Sequence, residues 1–204
     1  MSEYQFTQDW FHWAPALWKE LIPILPERTK DGRCFLEIGS FEGRSTVWII
    51  ENMLQNGDEI ICVDTWEGGE EHGAENMVEV EKRFEYNRSL AITGRNVSAL
   101  RHKGTSTSYL GACLENDVED RITFDFIYID GSHTAPDVLT DACMAWPLLK
   151  PLGIMVFDDY VWAPNPRDIL HRPKLAIDAF VNIFAEEVEI IHVGYQLAIR
   201  KKGA

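Results

Sequence analysis

The chain has 204 residues, 46% of them apolar, and a formal net charge of −14. That length suits one globular domain with a sizeable core. The acidic balance argues against nucleic acid and anionic membrane surfaces, which select for Lys and Arg, and leaves room for a small neutral or cationic ligand or a metal that offsets carboxylates.

The opening MSEYQFTQDW has neither a basic n-region nor an apolar h-region, so it does not read as a signal peptide. No apolar run approaches the ~18 residues of a membrane span. Trp10, Phe11, Trp13 and Trp18 are too many aromatics for a solvated tail. Residues 1–32 therefore read as a helical, aromatic cap over a pocket or as a contact in a homodimer. Residues 33–204 read as the core of the same domain.

CFLEIG (34–39) is a short apolar run ending in Gly, hence a strand. Residues 43–57 have helical spacing, with Val47, Ile50 and Leu54 on one face and Asn56-Gly57 as the stop. EIICVD (59–64) is a second strand. Residues 75–90 are charged but periodic through Val78, Phe84 and Leu90, a surface helix. A third strand is expected over 97–104, then a short helix from about Thr107. ITFDFIYID (122–130) is a strand with a nearly continuous apolar centre. Pro136 suits the first turn of the next helix, whose inward face is Val138, Leu139, Ala142, Trp146 and Leu149, bent or ended by Pro147. GIMVFDD (153–159) is another buried strand. A proline-containing loop (161–173), a helix (174–187) and a hairpin turning near Gly194 (188–201) complete the chain. Cys34, Cys62, Cys113 and Cys143 lie far apart and form no C-x-x-C pair. They read as reduced core thiols of a cytoplasmic protein rather than as disulfides or a zinc site.

Strands that are apolar throughout and alternate with helices predict an α/β, doubly wound parallel sheet covered on both faces. Ligands of such sheets bind beyond the carboxyl ends of the strands, near the switch point. Four strand exits therefore matter. In EIGSFEGRST, Glu37, Gly39 and Gly43 have the spacing E-x-G-x-x-x-G. The glycines permit a tight turn and close approach of a ligand to a helix N-terminus. Glu37 lies in an apolar run and wants a cationic or N–H donor. The alternative is a tight turn without a ligand. In VDTWEGGEEH, Asp64 suits a bidentate bond to ribose hydroxyls or a turn cap. Trp66 could flank a flat ring or pack in the core. His72 is an exposed loop histidine or a pocket residue. At the third exit, Asp130 and His133 stand three apart. At the fourth, Asp158 and Asp159 are adjacent. Three carboxylates on two neighbouring strand ends make a hard oxygen cluster for Mg²⁺, Ca²⁺ or Mn²⁺, or a pair of solvated turns. His133 is placed as a general base near neutral pH or as a helix cap.

Together these segments resemble the class I S-adenosylmethionine-dependent methyltransferases over roughly residues 33–200. FLEIGSFEGRST is similar to the superfamily's first motif, ICVDTW to its acidic second-strand end, and FDFIYIDGSH and LLKPLGIMVFDDY to its fourth and fifth strands. The IDGSH and DDY pair resembles the metal-dependent small-molecule O-methyltransferases, the macrocin and catechol types. The resemblance implies a Rossmann-like sheet of seven strands, six parallel and one antiparallel. It implies a cofactor site of Glu37, Gly39, Ser40, Phe41, Gly43, Ser45, Asp64, Thr65, Trp66, Thr105, Ser106 and Asp130, with Gly39, Ser40, Phe41 and Gly43 at the methionine end, Asp64 at the ribose, Trp66 beside it, and Thr105 or Ser106 near the adenine. Asp130, Asp158 and Asp159 match the metal positions. Asp130 and His133 are the implied catalytic pair, with His133 at the offset where catechol-type enzymes carry a lysine. The expected acceptor is a small molecule. The chain departs from the pattern in Pro-Leu-Gly before the fifth strand, where Pro-Gly-Gly is commoner. It also has Thr134, Ala135 and Pro136 where an aromatic often follows DGSH. Metal-free methylation of N or C, a non-catalytic cofactor-binding module and nicotinamide redox chemistry are the competing expectations.

Overall fold

A computed structural model describes residues 3–69, 73, 75–165 and 167–203. In chain order the elements are α1 (Ala14–Leu21), β1 (Cys34–Ile38), α2 (Arg44–Asn52), β2 (Glu59–Asp64), α3 (Met77–Ile92), β3 (Ser98–Lys103), α4 (Ser106–Glu115), β4 (Phe124–Ile129), α5 (Ala135–Ala145), β5 (Leu149–Phe157), α6 (Pro173–Ile183), β6 (Val188–Val193) and β7 (Leu197–Lys201). The strands form one sheet in the order β3-β2-β1-β4-β5-β7-β6. β1 to β5 pair in parallel, whereas β7 runs antiparallel to both β5 and β6. Six strands thus share one direction and one opposes it, the Rossmann-like arrangement expected. The order reverses between β1 and β4, so the exits of these two strands lie side by side at the switch point.

Strand alternation decides which helix layer each side chain meets. Leu36, Ile38, Ile127, Ile129, Met155 and Phe157 face one layer with Ala142 of α5 and Phe180 of α6. Phe35, Phe126, Tyr128, Ile154 and Val156 face the other, with Trp18 of α1, Ile49 of α2 and Phe84 of α3. Glu37 and Tyr128 lie in register on neighbouring strands. Every β4 residue is buried, which explains the continuous apolar run.

Five expectations change. α2 ends at Asn52 rather than at Gly57, because the Asp58 carboxylate accepts from the Gln55 amide and gathers residues 55–58 into a turn. α3 buries Val80, Phe84, Asn87 and Ala91 and leaves Val78 exposed, since the inward stripe is offset by two residues. Pro147 does end α5, through a 3₁₀ turn at Trp146–Leu148, but Leu149 already belongs to β5. α6 stops at Ile183, short of residue 187. All four cysteines are free thiols, and Cys143 is exposed rather than in the core. No helix among the described residues is long and apolar enough to cross a membrane.

The N-terminal aromatics are built into the fold. Trp18 is fully buried, with edge contacts to Phe11, Trp48, Phe126 and Tyr128 at 4.8–5.7 Å. Its indole N–H donates to Gln196 Oε1 at 2.8 Å. Trp13 stands edge-on to Tyr195, and Trp10 lies 5.2 Å from the Phe41 ring.

Candidate active site

The β1 exit is a loop in which Gly39, Phe41 and Gly43 all have positive φ (84°, 48° and 79°). At Gly39 the sequence has no choice: a Cβ there would lie 1.9 Å from the Asp130 carbonyl oxygen. The loops after β1 and β4 therefore touch backbone to backbone.

Three carboxylates hold this loop. Glu37 is 0% exposed beneath the first turn of α2. It accepts from Ser40 Oγ at 2.7 Å, Ser45 Oγ at 2.6 Å and Thr46 Oγ1. Burial raises its pKa, and the Ser45, Thr46 and Ser40 hydroxyls oppose that shift. Hydroxyls thus replace the cationic or N–H donor expected for it, and Glu37 and Ser45 turn inward rather than toward a ligand. Asp64, at the end of β2, accepts from the Ser40 and Phe41 amides at 2.8 and 2.9 Å and from the Trp66 amide at 2.7 Å. Glu42 accepts from Thr7 and Arg83. Trp66 is 3% exposed, packs on Phe84, and donates its indole N–H to the Phe41 carbonyl. It is a core residue, not a ring lying open beside a ligand. Thr65 Oγ1 accepts from the Glu67 amide and shapes the turn after β2. His72 lies outside the described residues. Thr105 caps α4, and Ser106 donates to Asp141 of α5.

The β4 and β5 exits meet next to this loop. Asp130, Asp158 and Tyr128 fall on one face of the sheet, and the buried Tyr128 hydroxyl contacts both carboxylates. One hydroxyl hydrogen cannot serve two ionised acids, so one contact needs a carboxyl proton. Burial first, then repulsion from Asp158 and Asp159, raises the Asp130 pKa well above the carboxylate range. Burial and then Asp159 raise that of Asp158. Asp158 also accepts from Gln196 Nε2 at 3.1 Å. Asp159 escapes strand alternation with φ 55° and swings toward His133, whose Nε2 lies 2.9 Å from Asp159 Oδ2. Tyr195 donates to Asp159 Oδ1 at 2.7 Å, and Trp162 lies 4.7 Å from the His133 ring.

Among the described residues, the group whose possible ligand atoms all lie within 4.8 Å of one another is Asp130, His133 and Asp159. Asp158 of the expected triad lies outside this group, its carboxylate meeting the Tyr128 hydroxyl and Gln196 Nε2, while His133 lies within it. The sequence reading also missed Tyr128 and Gln196. A tyrosine in an otherwise apolar strand, two residues before Asp130 and so on the same face, is the signal that reveals the first. Gln196 carries no comparable signal.

A family model described as a methyltransferase domain matches residues 36–160. An uncharacterized protein, R132, of Acanthamoeba polyphaga mimivirus is 26% identical over 158 residues, 74% of this chain. The chain spans 63% of the length of that relative. Among solved structures, an O-methyltransferase from Bacillus cereus in complex with SAH is similar at 19% identity and TM-score 0.62, over 98% of this chain and 84% of that one. The O-methyltransferase TomG from Streptomyces achromogenes, in complex with SAM, matches at 18% identity and TM-score 0.60, over 85% and 74%. The MycE methyltransferase of mycinamycin biosynthesis, in complex with Mg, SAH and mycinamycin VI, matches at 16% and 0.58, over 98% and 51%. At these identities the likeness is one of fold. The family match covers more than half of the 204 residues and runs from β1 through the β5 exit, and on that match the chain belongs to the family of methyltransferase domains.

Proposed function

We propose that the protein transfers the methyl group of S-adenosylmethionine to a hydroxyl of a small-molecule acceptor, with a divalent cation at the β4 and β5 exits. The observation that carries this reading is the convergence of Asp130, His133 and Asp159 beside the glycine loop. The residues suit both groups. S-adenosylmethionine bears a sulfonium and an ammonium, and Asp64, Asp130, Asp158 and Asp159 all stand at the carboxyl ends of β2, β4 and β5. Burial and mutual repulsion disfavour the charged forms of Asp130 and Asp158, and a cation relieves both effects. The loop from Gly39 to Gly43 would take the methionine end, Asp64 the ribose, and Thr105 or Ser106 the adenine. Asp130 and Asp159 would hold Mg²⁺, Mn²⁺ or Ca²⁺.

When bound, the cofactor supplies an electrophilic methyl group and the cation lowers the pKa of an acceptor hydroxyl. The chain supplies alignment and proton handling. His133, paired with Asp159 through Nε2, is the side chain that would take or orient the hydroxyl proton. Tyr195 and His133 together fix the Asp159 carboxylate. Rigid placement of two reactants can be worth ~7–11 kcal/mol of barrier.

The proximity of His133 to both acids favours a second reading in which Nε2 is itself a ligand and Mn²⁺ is preferred over Mg²⁺. Calorimetry with S-adenosylhomocysteine, with and without each ion, followed by methyl transfer to a panel of hydroxylated small molecules, tests the proposal. Binding of S-adenosylhomocysteine with chelator-sensitive transfer is expected. Transfer to nitrogen or carbon at full rate in chelator would overturn the metal-assisted reading, and binding without turnover on any acceptor would favour a non-catalytic module.

A further inference from the structure

The N-terminal segment ahead of α1 reaches the glycine loop through a set of bonds that the proposed chemistry does not use. Residues 4–9 form no helix or strand, and Gln5 and Thr7 are exposed. Their order therefore rests on side chains. The Thr7 amide and hydroxyl donate to Glu42 Oε2 and Oε1 at 2.6 and 2.8 Å. Glu42 is almost fully buried, and Arg83 of α3 pairs with the same carboxylate. Buried Asn87 of α3 exchanges two bonds with Gln5, at 2.7 and 2.8 Å, and donates to the Glu42 carbonyl at 2.9 Å. Arg44, the first residue of α2, donates to the Gln8 carbonyl and stacks on Phe6. The strap ends with Trp10 against Phe41. Glu42 stands between Phe41 and Gly43, both left-handed. Fixing its carboxylate therefore fixes the middle of the loop.

We propose that this strap is a clasp on the cofactor loop, with Thr7, Arg83 and Asn87 as positioning residues that act through Glu42. The inference rests on the cofactor reading above. A strap with an exposed outer face and no helix or strand of its own opens at lower free energy than the core. A buried carboxylate stripped of donors is costly, so opening the strap also loosens Glu42 and the loop. Coupling of this kind is reciprocal: a ligand on the ordered loop must also close the strap.

Hydrogen exchange on the full chain, with and without saturating S-adenosylhomocysteine, reads the coupling directly. The Gln5 and Thr7 amides should exchange about tenfold more slowly with ligand, within the range typical of coupled sites. Thr7→Ala should weaken S-adenosylhomocysteine binding by a similar factor, mainly through faster release, and Thr7→Ser should restore it. Lys202→Ala removes bonds to the Ala185 and Glu186 carbonyls, outside both strap and loop, and should bind as wild type. Unchanged exchange at Gln5 and Thr7 on ligand binding, or wild-type affinity in Thr7→Ala, would overturn the clasp while leaving the cofactor site standing. A wild-type chain that binds no S-adenosylhomocysteine would overturn the cofactor site itself, and the clasp with it.

Discussion

Asp64 offers the sharpest test of how the cofactor loop is built. Its two oxygens accept from three backbone amides, Ser40 and Phe41 on Oδ2 and Trp66 on Oδ1. If its work were confined to ribose hydroxyls, Asp64→Ala would weaken cofactor binding and leave unfolding untouched. The geometry says otherwise. Alanine strips all three amides, and each part-buried donor left without an acceptor costs about 1–3 kcal/mol. Water repays some of this at so open a position, so a net loss of about 3 kcal/mol is a reasonable expectation. For a chain of this length that lowers the melting temperature by about 6–12 °C. Asparagine is milder. Its amide can turn so that the oxygen still faces Ser40 and Phe41 and only the Trp66 bond is lost, an expected cost of about 1–2 kcal/mol. Urea unfolding of the three proteins, read by tryptophan fluorescence, should rank them wild type, Asp64→Asn, Asp64→Ala. Equal midpoints for wild type and Asp64→Ala would refute the argument that this carboxylate holds the loop.

His133→Ala should lower turnover by about 10²–10⁴-fold with S-adenosylhomocysteine affinity nearly intact. Manganese binding followed by electron paramagnetic resonance separates its two roles: a base leaves metal affinity unchanged, whereas a ligand takes it away. Chelation of the wild-type enzyme should abolish methyl transfer and be reversed by added Mg²⁺ or Mn²⁺, and activity that survives chelation would remove the metal from the mechanism. Trp18→Ala should cost about 3–5 kcal/mol in equilibrium unfolding, as expected for a fully buried aromatic, and a loss below about 1 kcal/mol would contradict its place in the core. Burial raises the Asp141 pKa from 3.8 to about 6, against the pull of the Ser106 bond. A folded-state value above the unfolded one means that the protonated side chain carries no penalty below about pH 4, and that the cost of ionising it builds as pH rises to about 6. Asp141→Asn should therefore leave stability unchanged at pH 3.5 and raise it by at most about 2–3 kcal/mol at pH 7; a gain that is independent of pH would rule the explanation out.

The strands were legible because their apolar runs and exits are written locally. β2 was placed to the residue, and the hairpin at Gly194 was visible from its turn. The helix ends were less legible. The stop of α2 depends on Asp58, which acts from beyond the helix. The inward face of α3 includes Asn87, a polar residue buried because the N-terminal strap and Glu42 satisfy its amide. No periodicity rule counts such a residue as inward. The candidate site divides in the same way. Proximity of Asp130, His133 and Asp159 follows from which strands neighbour each other, and the sequence suggested that order. The approach of His133 to Asp159 goes with a φ of 55° at Asp159, and Asp158 meets the Tyr128 hydroxyl, neither of which spacing reveals. The departure at Pro-Leu-Gly proved local, as its position implied. Leu152 takes a left-handed φ of 64°, where glycine would sit without strain, at an exposed position within β5 where the pairing with β4 shifts register.

β7 follows β6 in the chain but lies between β6 and β5 in the sheet. Order of synthesis and order in space therefore disagree. While a ribosome is still making residues 197–201, β6 has no partner strand to join and β5 presents an open row of backbone donors and acceptors, a template for pairing with another chain. Gln196, which joins Trp18 to Asp158, arrives at the same moment. The chain thus gains β7, the neighbour of both β5 and β6, together with the side chain that supports Asp158.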